Sequence, residues 1–311
     1  MTKPLTMKKR IDMYLKYRQH LGYSNRTVGG GLLKFADYVD SKRYRGPLTA
    51  TLAIEWASAS TKNTRSACAS RLSLIRGFAK YYQIIEPKTE IPPVNYYGVT
   101  YRRPAPYIYS EKEIYDLLEV TKKLSPINGL KPITIKYILG LLASTGLRIS
   151  EALHLTCQDV DLNQGILSIR ESKNHKSRYV PLHPTTMKAL QTYTSIRNAQ
   201  VCTTNDSTFF TIHNGSSLSL QQLEVAFKKL RSELGWVKNQ RLYDLRHTFA
   251  CRRLLLWYKQ GVDIDAMMIY LSTYLGHAKV THTYWYLTAT PELLSVISNK
   301  FEKFSQPTSG E

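Results

Sequence analysis

Apolar residues in the first eighty or so positions recur at three- to four-residue intervals, the repeat of an amphipathic helix and not of a strand. From Lys8 to Leu21 this repeat gathers Ile11, Tyr14, Leu15 and Tyr17 near one face. Ser24 or Asn25 is suited to cap a second helix running toward Tyr38. Leu48 to Ala59 and Asn63 to Tyr82 give two more, the last exposing Arg65, Arg71, Arg76 and Lys80, which with Arg102 and Arg103 of the following stretch are the candidate DNA-binding residues. The pattern then breaks. Residues 83–108 carry Pro87, Pro92, Pro93, Pro104 and Pro106, several tyrosines and the pair Arg102 and Arg103. Such a stretch cannot hold a helix and predicts an extended linker.

Helical periodicity returns at Ser110-Glu111-Lys112-Glu113, a capping box. Helices are predicted over 111–123 and 131–145, the latter closed by Gly146 as C-cap. A short one follows over Ile149 to Leu155. The runs Gly165 to Arg170 and Ser177 to Leu182 flank the polar turn Lys173 to Lys176 and read as a hairpin. Beyond it helix and loop alternate. One helix opens at Asp244, another spans Ile264 to Leu275, and a last one, Pro291 to Phe304, carries Leu293, Leu294, Ile297 and Phe301 on one side. The fold class expected is mainly α with a small antiparallel β-hairpin (α+β), in two domains. These are a helical domain over 1–86, a basic linker over 87–108, a second domain over 109–304 and a tail over 305–311. There is no internal repeat or low-complexity tract.

Composition narrows the class. Of 311 residues, 43% are hydrophobic and 21% charged, the balance of a soluble globular protein. No apolar run approaches a bilayer span, and the N-terminus lacks a signal-like stretch, so a cytoplasmic, nucleoid-associated protein is expected. Cys68, Cys157, Cys202 and Cys251 form no Cys-x-x-Cys and read as small buried apolar residues, not a zinc site or disulfide framework. The net charge is +20, and its distribution is informative: residues 1–108 hold 19 basic against 6 acidic side chains. A polyanion is the natural partner. Gly29, Gly30 and Gly31 either let a backbone approach DNA closely or mark a longer loop, and the loop is preferred.

The candidate chemistry lies in the second domain. Attack on a phosphodiester loads negative charge on the non-bridging oxygens, which fixed guanidiniums answer with bidentate hydrogen bonds. The leaving oxygen needs a proton donor, and a phenol can attack once its proton is removed or its anion stabilised. Arginines supplying the positive charge make a metal unnecessary. Arg148, Arg246, His277 and Tyr286 stand in that order along the chain. Alone, each is an ordinary surface, capping or turn residue, and so is Lys173; Arg246 is expected to fall away from the core face set by Leu245 and Phe249, where it can reach a ligand.

Together, Thr145-Gly-Leu-Arg-Ile-Ser-Glu151, Lys173 before Tyr179-Val-Pro-Leu182, Asp244-Leu-Arg-His-Thr-Phe-Ala250, Leu275-Gly-His277 and Tyr286 resemble the boxes of the tyrosine recombinase (phage integrase) family. The likeness covers about 109–300, and the basic helical region before it looks like that family's core-binding domain. It implies that Arg148 and Arg246 hold the scissile phosphate and that Lys173 protonates the leaving 5′-oxygen. His277 would bond a non-bridging oxygen, and Tyr286 would attack to form a 3′-phosphotyrosyl link. Glu151 would orient its neighbours without entering the reaction. Double-stranded DNA is the implied partner, with a homo-tetramer on synapsed DNA and partner recombinases beside it. No cofactor, metal or ATP is implied, and no membrane. The string from Tyr284 to Leu294 looks like transposon-borne members.

Two rivals stand close by. Tyr284 lies two residues before Tyr286, and the nine-residue offset from His277 favours Tyr286. Lys176 competes with Lys173. Tyr243 occupies the place of the family's usual histidine, where it can donate a hydrogen bond but is a poor base near neutral pH. His247, one turn on, is read as a packing residue. The alternatives are a catalytically impaired DNA-binding accessory protein and a type IB-like topoisomerase. Asp159, Asp161 and Asp206 form no convincing carboxylate cluster for a two-metal nuclease.

Overall fold

The computed structural model describes residues 5–59, 64–98, 105–126, 129–172, 176–236, 240–288, 293–295 and 298. The chain divides into two compact units, Met1–Pro104 and Ala105–Glu311.

Among its described residues the first unit holds four helices, α1 (Met7–His20), α2 (Arg26–Ser41), α3 (Ala50–Ser58) and α4 (Arg65–Tyr82). Thr6, Thr49 and Thr64 cap α1, α3 and α4 through their side-chain oxygens. Asn25 precedes α2 without capping it. Its Nδ2 donates to the Leu15 carbonyl at 2.7 Å, fastening the turn to α1 instead. Gly29, Gly30 and Gly31 lie inside α2, which corrects the expectation of a loop. The physical reason is helix packing. A Cβ on Gly31 would stand 2.4 Å from Leu74 Cδ2 of α4, and one on Gly29 would touch Leu15 of α1 at 3.7 Å. Close packing there outweighs a propensity cost of roughly 1 kcal/mol per glycine. Ile11, Leu32, Phe35, Trp56, Ile75 and Phe78 anchor the resulting core.

Among its described residues the proline-rich stretch carries no helix, and its first part is folded against this unit and is not free-standing. The Glu90 amide donates to the Leu48 carbonyl at 2.8 Å, the Glu90 carboxylate accepts from the Ala50 amide at 2.7 Å, and the Tyr97 hydroxyl donates to the Ile54 carbonyl at 3.0 Å. Residues 105–109 belong to the second unit, where the Tyr109 amide donates to Thr248 Oγ1 and the Tyr109 hydroxyl to the Arg241 carbonyl, both at 3.0 Å.

The second unit opens with α5 (Glu111–Val120), for which Ser110 and Glu113 form the expected capping box. Then come α6 (Leu130–Thr145), α7 (Ile149–Leu153), the strands β1 (Val160–Asp161), β2 (Ile166–Ser172) and β3 (Lys176–Pro181), and α8 (Pro184–Asn198). After these follow α9 (Leu220–Glu233), α10 (Asp244–Lys259), α11 (Ile264–Leu275) and the short α12 (Thr281–Tyr284), which runs into a 3-10 turn over Trp285–Thr288. The strands form one antiparallel sheet in the order β1-β2-β3. Leu167 faces Val180, and Ile169 faces Arg178. Helix α6 is the central element. Ile135, Ile138, Leu139 and Leu142 are buried along it, and α5, α8 and α10 pack on it. A second apolar cluster joins α10 and α11 to Tyr286 and Leu293. Most of the expected last helix, 291–304, lies outside the described residues. Cys68 and Cys251 are buried as expected, whereas Cys157 is half-buried and Cys202 exposed in the loop after α8. Among the described residues, no helix is long and apolar enough to cross a membrane.

Candidate active site

Helices α6 and α11 of the second unit have left-handed glycines at their C-caps, Gly146 (φ 63°) and Gly276 (φ 66°). Such ends leave carbonyls without helical partners and carry the negative pole of the helix dipole. The arginines singled out in the sequence take up those carbonyls. Arg246, in the first turn of α10, donates through Nη1 to Gly146 O and through Nη2 to Leu275 O, both at 2.7 Å. Arg148, the N-cap of α7, donates through Nη2 to Gly276 O at 2.5 Å. Arg246 is only 2% exposed, so the sequence expectation of an outward-facing side chain needs correction. Burial pushes its pKa down, and the neighbouring Tyr286 and Tyr243 oxygens oppose that. Its Nε–H has no hydrogen-bond partner among the described residues. Asp244, fully buried, anchors the start of α10 by accepting from the Arg241 amide and guanidinium.

His277 joins this group. Its Nε2 lies 3.1 Å from Arg246 Nη2, and its Nδ1 lies 2.7 Å from Thr283 Oγ1. A guanidinium only donates, so beside Arg246 the Nε2 is placed to accept and Nδ1–H to donate to Thr283, and the two ring nitrogens exchange roles in the other tautomer. The Tyr286 ring is buried and stacks on His277 with ring centres 6.1 Å apart and planes at 20°. Burial pushes the Tyr286 phenol up to about 12, against a downward pull from the Arg246 guanidinium beside it. Tyr284 sits elsewhere: it is 41% exposed and its hydroxyl donates to Asp265 at 3.4 Å. Tyr243 is exposed at the head of α10, with its ring edge-on to His247 at 5.0 Å. His247 in turn lies edge-on to Tyr286 at 5.5 Å, an aromatic packing position.

Glu151, one turn into α7, connects the first arginine to the hairpin. It accepts from the Arg148 amide at 3.0 Å and from Arg148 Nη1 at 2.6 Å. It also accepts both Nη groups of Arg178, at 3.0 and 2.9 Å. Burial would raise the Glu151 pKa, but the Arg178 pair and the Arg148 contacts overcome it and hold the carboxyl at about 2. Arg178 was not singled out in the sequence. The signal was available: it shares the inward face of β3 with Val180, where an apolar residue is expected. Thr283 had no comparable signal.

Other sequence candidates fall outside this group. Lys173 lies outside the described residues, as does the side chain of Lys176. Arg102 and Arg103 also lie outside them. In the first unit Arg65 and Lys80 are exposed. Arg71 stacks on Trp56, 3.9 Å from the ring centre, and donates to its carbonyl. Arg76 donates to the carbonyls of Pro92 and Pro93, so both guanidiniums have partners within their own unit. Asp159 pairs with Arg170 at 2.6 Å, Asp161 caps the Asn163–Gln164 turn, and Asp206 accepts from Gln158. No group of residues able to hold a metal occurs among the described residues.

This site and fold define a class: a DNA strand transferase of the tyrosine recombinase type. The model of the phage integrase family matches residues 108–292, and the chain belongs to that family. A protein of Sinorhizobium fredii named as integrase/recombinase y4rE is 34% identical over 293 residues, 94% of either chain. Tyrosine recombinase XerD of Staphylococcus saprophyticus is 28% identical, covering 94% of this chain and 97% of its own. Among solved structures, the Tn1549 transposon integrase in complex with a circular intermediate DNA superposes with a TM-score of 0.66 at 16% identity, over 94% of this chain and 99% of that one.

Proposed function

We propose that this recombinase cleaves and rejoins double-stranded DNA through a covalent 3′-phosphotyrosyl link on Tyr286, without metal or ATP. The observation that carries the reading is the gathering of the Tyr286 phenol, Arg246, His277 and Arg148 around the ends of α6 and α11. The two guanidiniums grip the non-bridging oxygens of the scissile phosphate, and the unpaired Nε–H of Arg246 is a buried donor that an anion satisfies. His277 adds a hydrogen bond to the same oxygens in its other tautomer, with Nε2–H donating to phosphate and Nδ1 accepting from the Thr283 hydroxyl. Tyr286 Oη bonds to phosphorus, the bond to the 5′-oxygen breaks, and that oxygen leaves with a proton from Lys173. Starting from a pKa of about 12, ionising the phenol at about pH 8 costs about 5 kcal/mol. Proton loss is therefore coupled to attack, the phenol proton passing to bulk water while the Arg246 guanidinium stabilises the forming oxyanion. Religation reverses these steps, and the energy of the broken ester stays in the phosphotyrosine. Strand exchange would join four protomers on synapsed DNA, in a mobile-element setting alongside partner recombinases.

The test is trapping on a nicked duplex whose site has been selected for binding from a randomised DNA pool. A covalent adduct in EDTA is expected from the wild type and from Tyr284→Phe, and none from Tyr286→Phe. DNA binding without an adduct in the wild type would instead establish the accessory-protein reading. Plasmid relaxation by single protomers would favour topoisomerase action.

A further inference from the structure

We propose that Arg178 is a positioning residue that acts as the counter-ion of Glu151, leaving Arg148 a full cation for the phosphate. This rests on the function proposed above and extends it to the hairpin. Arg148 has a carboxylate only 2.6 Å from Nη1, and an isolated pair of that kind presents little net charge to a third group. Here the carboxylate is shared. Arg178 takes both of its oxygens side by side at 2.9 and 3.0 Å, the fork-to-fork geometry of a strong pair. Glu151 is 4% exposed in its side chain and Arg178 10%, so water does little to screen this charge.

The fold commits Arg178 to the task. Its Nε donates to Tyr274 O at 2.7 Å, near the end of α11, and its guanidinium lies where a Cβ on Gly276 would stand, 2.7 Å from Nη1. One side chain thus ties β3 to Glu151 and to the helix end whose carbonyls hold Arg148 and Arg246. Two guanidiniums on one carboxylate leave a net charge of one, and Arg148 is the member with the freer side chain, 19% exposed. Without Arg178, Glu151 would neutralise Arg148 instead.

Single-turnover adduct formation on the nicked duplex tests this, with wild type, Arg178→Met, Glu151→Gln and the double variant. Arg178→Met should slow the step on the order of a hundredfold, the scale expected for leaving a buried charge uncompensated. The double variant should regain at least tenfold of that, because the carboxylate that captures Arg148 is gone. A second reading uses a duplex with an uncharged methylphosphonate at the scissile position, in a Tyr286→Phe background. There Arg178→Met should shrink the preference for phosphate over methylphosphonate severalfold. Losses that simply multiply in the double variant, or an unchanged phosphate preference, would overturn the proposal and leave Arg178 as a hairpin strut. Absence of any wild-type adduct would count against the phosphotyrosine reading, whereas the binding preference tests the charge of Arg148 without cleavage.

Discussion

Replacing Glu151 by Gln should make the second unit less stable at neutral pH and remove a specific slope from its acid unfolding. Glu151 is almost fully buried, so its ionisation is linked to folding with little solvent screening. Its carboxyl stands at about 2 in the folded chain against an ordinary value of 4.5. That difference corresponds to about 3.4 kcal/mol of stabilisation. A carboxylate with a lowered folded pKa stabilises fully above its unfolded value, and the contribution is lost as pH falls toward the folded value. By about pH 3.5, about 1.4 kcal/mol has gone. The slope belongs to Glu151 because arginines do not titrate in this range.

The assay is urea unfolding of the full chain at several pH values. The indole N–H signals of Trp236, Trp257 and Trp285 report the second unit separately from Trp56 in the first. The gap between wild type and Glu151→Gln should narrow by about 1.4 kcal/mol on going from pH 6 to about pH 3.5. Two parallel stability curves would refute the reasoning, because they would mean that Glu151 titrates alike in the folded and unfolded chains.

Tyr286 provides the mirror-image case at high pH. Its phenol is raised from 10.0 to about 12, so its contribution is full below 10 and lost as pH rises toward 12. Between pH 10 and pH 12 the wild type should lose about 1.9 kcal/mol relative to Tyr286→Phe, measured as the difference between their urea midpoints. An equal loss in both proteins would place the phenol in water. Gly276→Ala should lower the melting temperature by several degrees, since a left-handed backbone costs an L-residue about 1–2 kcal/mol. Its Cβ also meets Arg178 Nη1 at 2.7 Å, so adduct formation should fall further than the loss of folded protein explains.

Much of this was legible in the sequence because each feature has a local cause. The capping box at Ser110, the glycine closing α6 and the alternating arms of the hairpin all follow from backbone chemistry within a few residues. Gly30 of α2 has open space around it, but Gly31 and Gly29 were misread because the reasons for them are Leu74 and Leu15, tertiary neighbours on other helices. Arg246 was expected outside for the same reason. An arginine in an amphipathic helix reads as exposed unless one knows that two carbonyls from other helix ends wait for it. Arg178 shows the intermediate case. Its inward register was visible along β3, but its partner Glu151 lies 27 residues away and only the fold joins them.

The charge balance of the assembled group says what it is built to hold. Arg148, Arg178 and Arg246 contribute three positive charges and Glu151 removes one, so these four side chains leave a net charge of +2. A phosphodiester carries one negative charge; the five-coordinate phosphorus formed when a phenolate attacks it carries two. In the proposed reaction a site of charge +2 would gain most from the transition state, which is the condition for raising a rate and not only an affinity. The helix-end carbonyls fit the same logic. They hold Arg148 and Arg246 in place through partial charges, so both forks are fixed before DNA arrives without a full anion being spent on each. Had carboxylates done that work for both, the group would be neutral overall and would grip the ground state and the transition state more nearly alike.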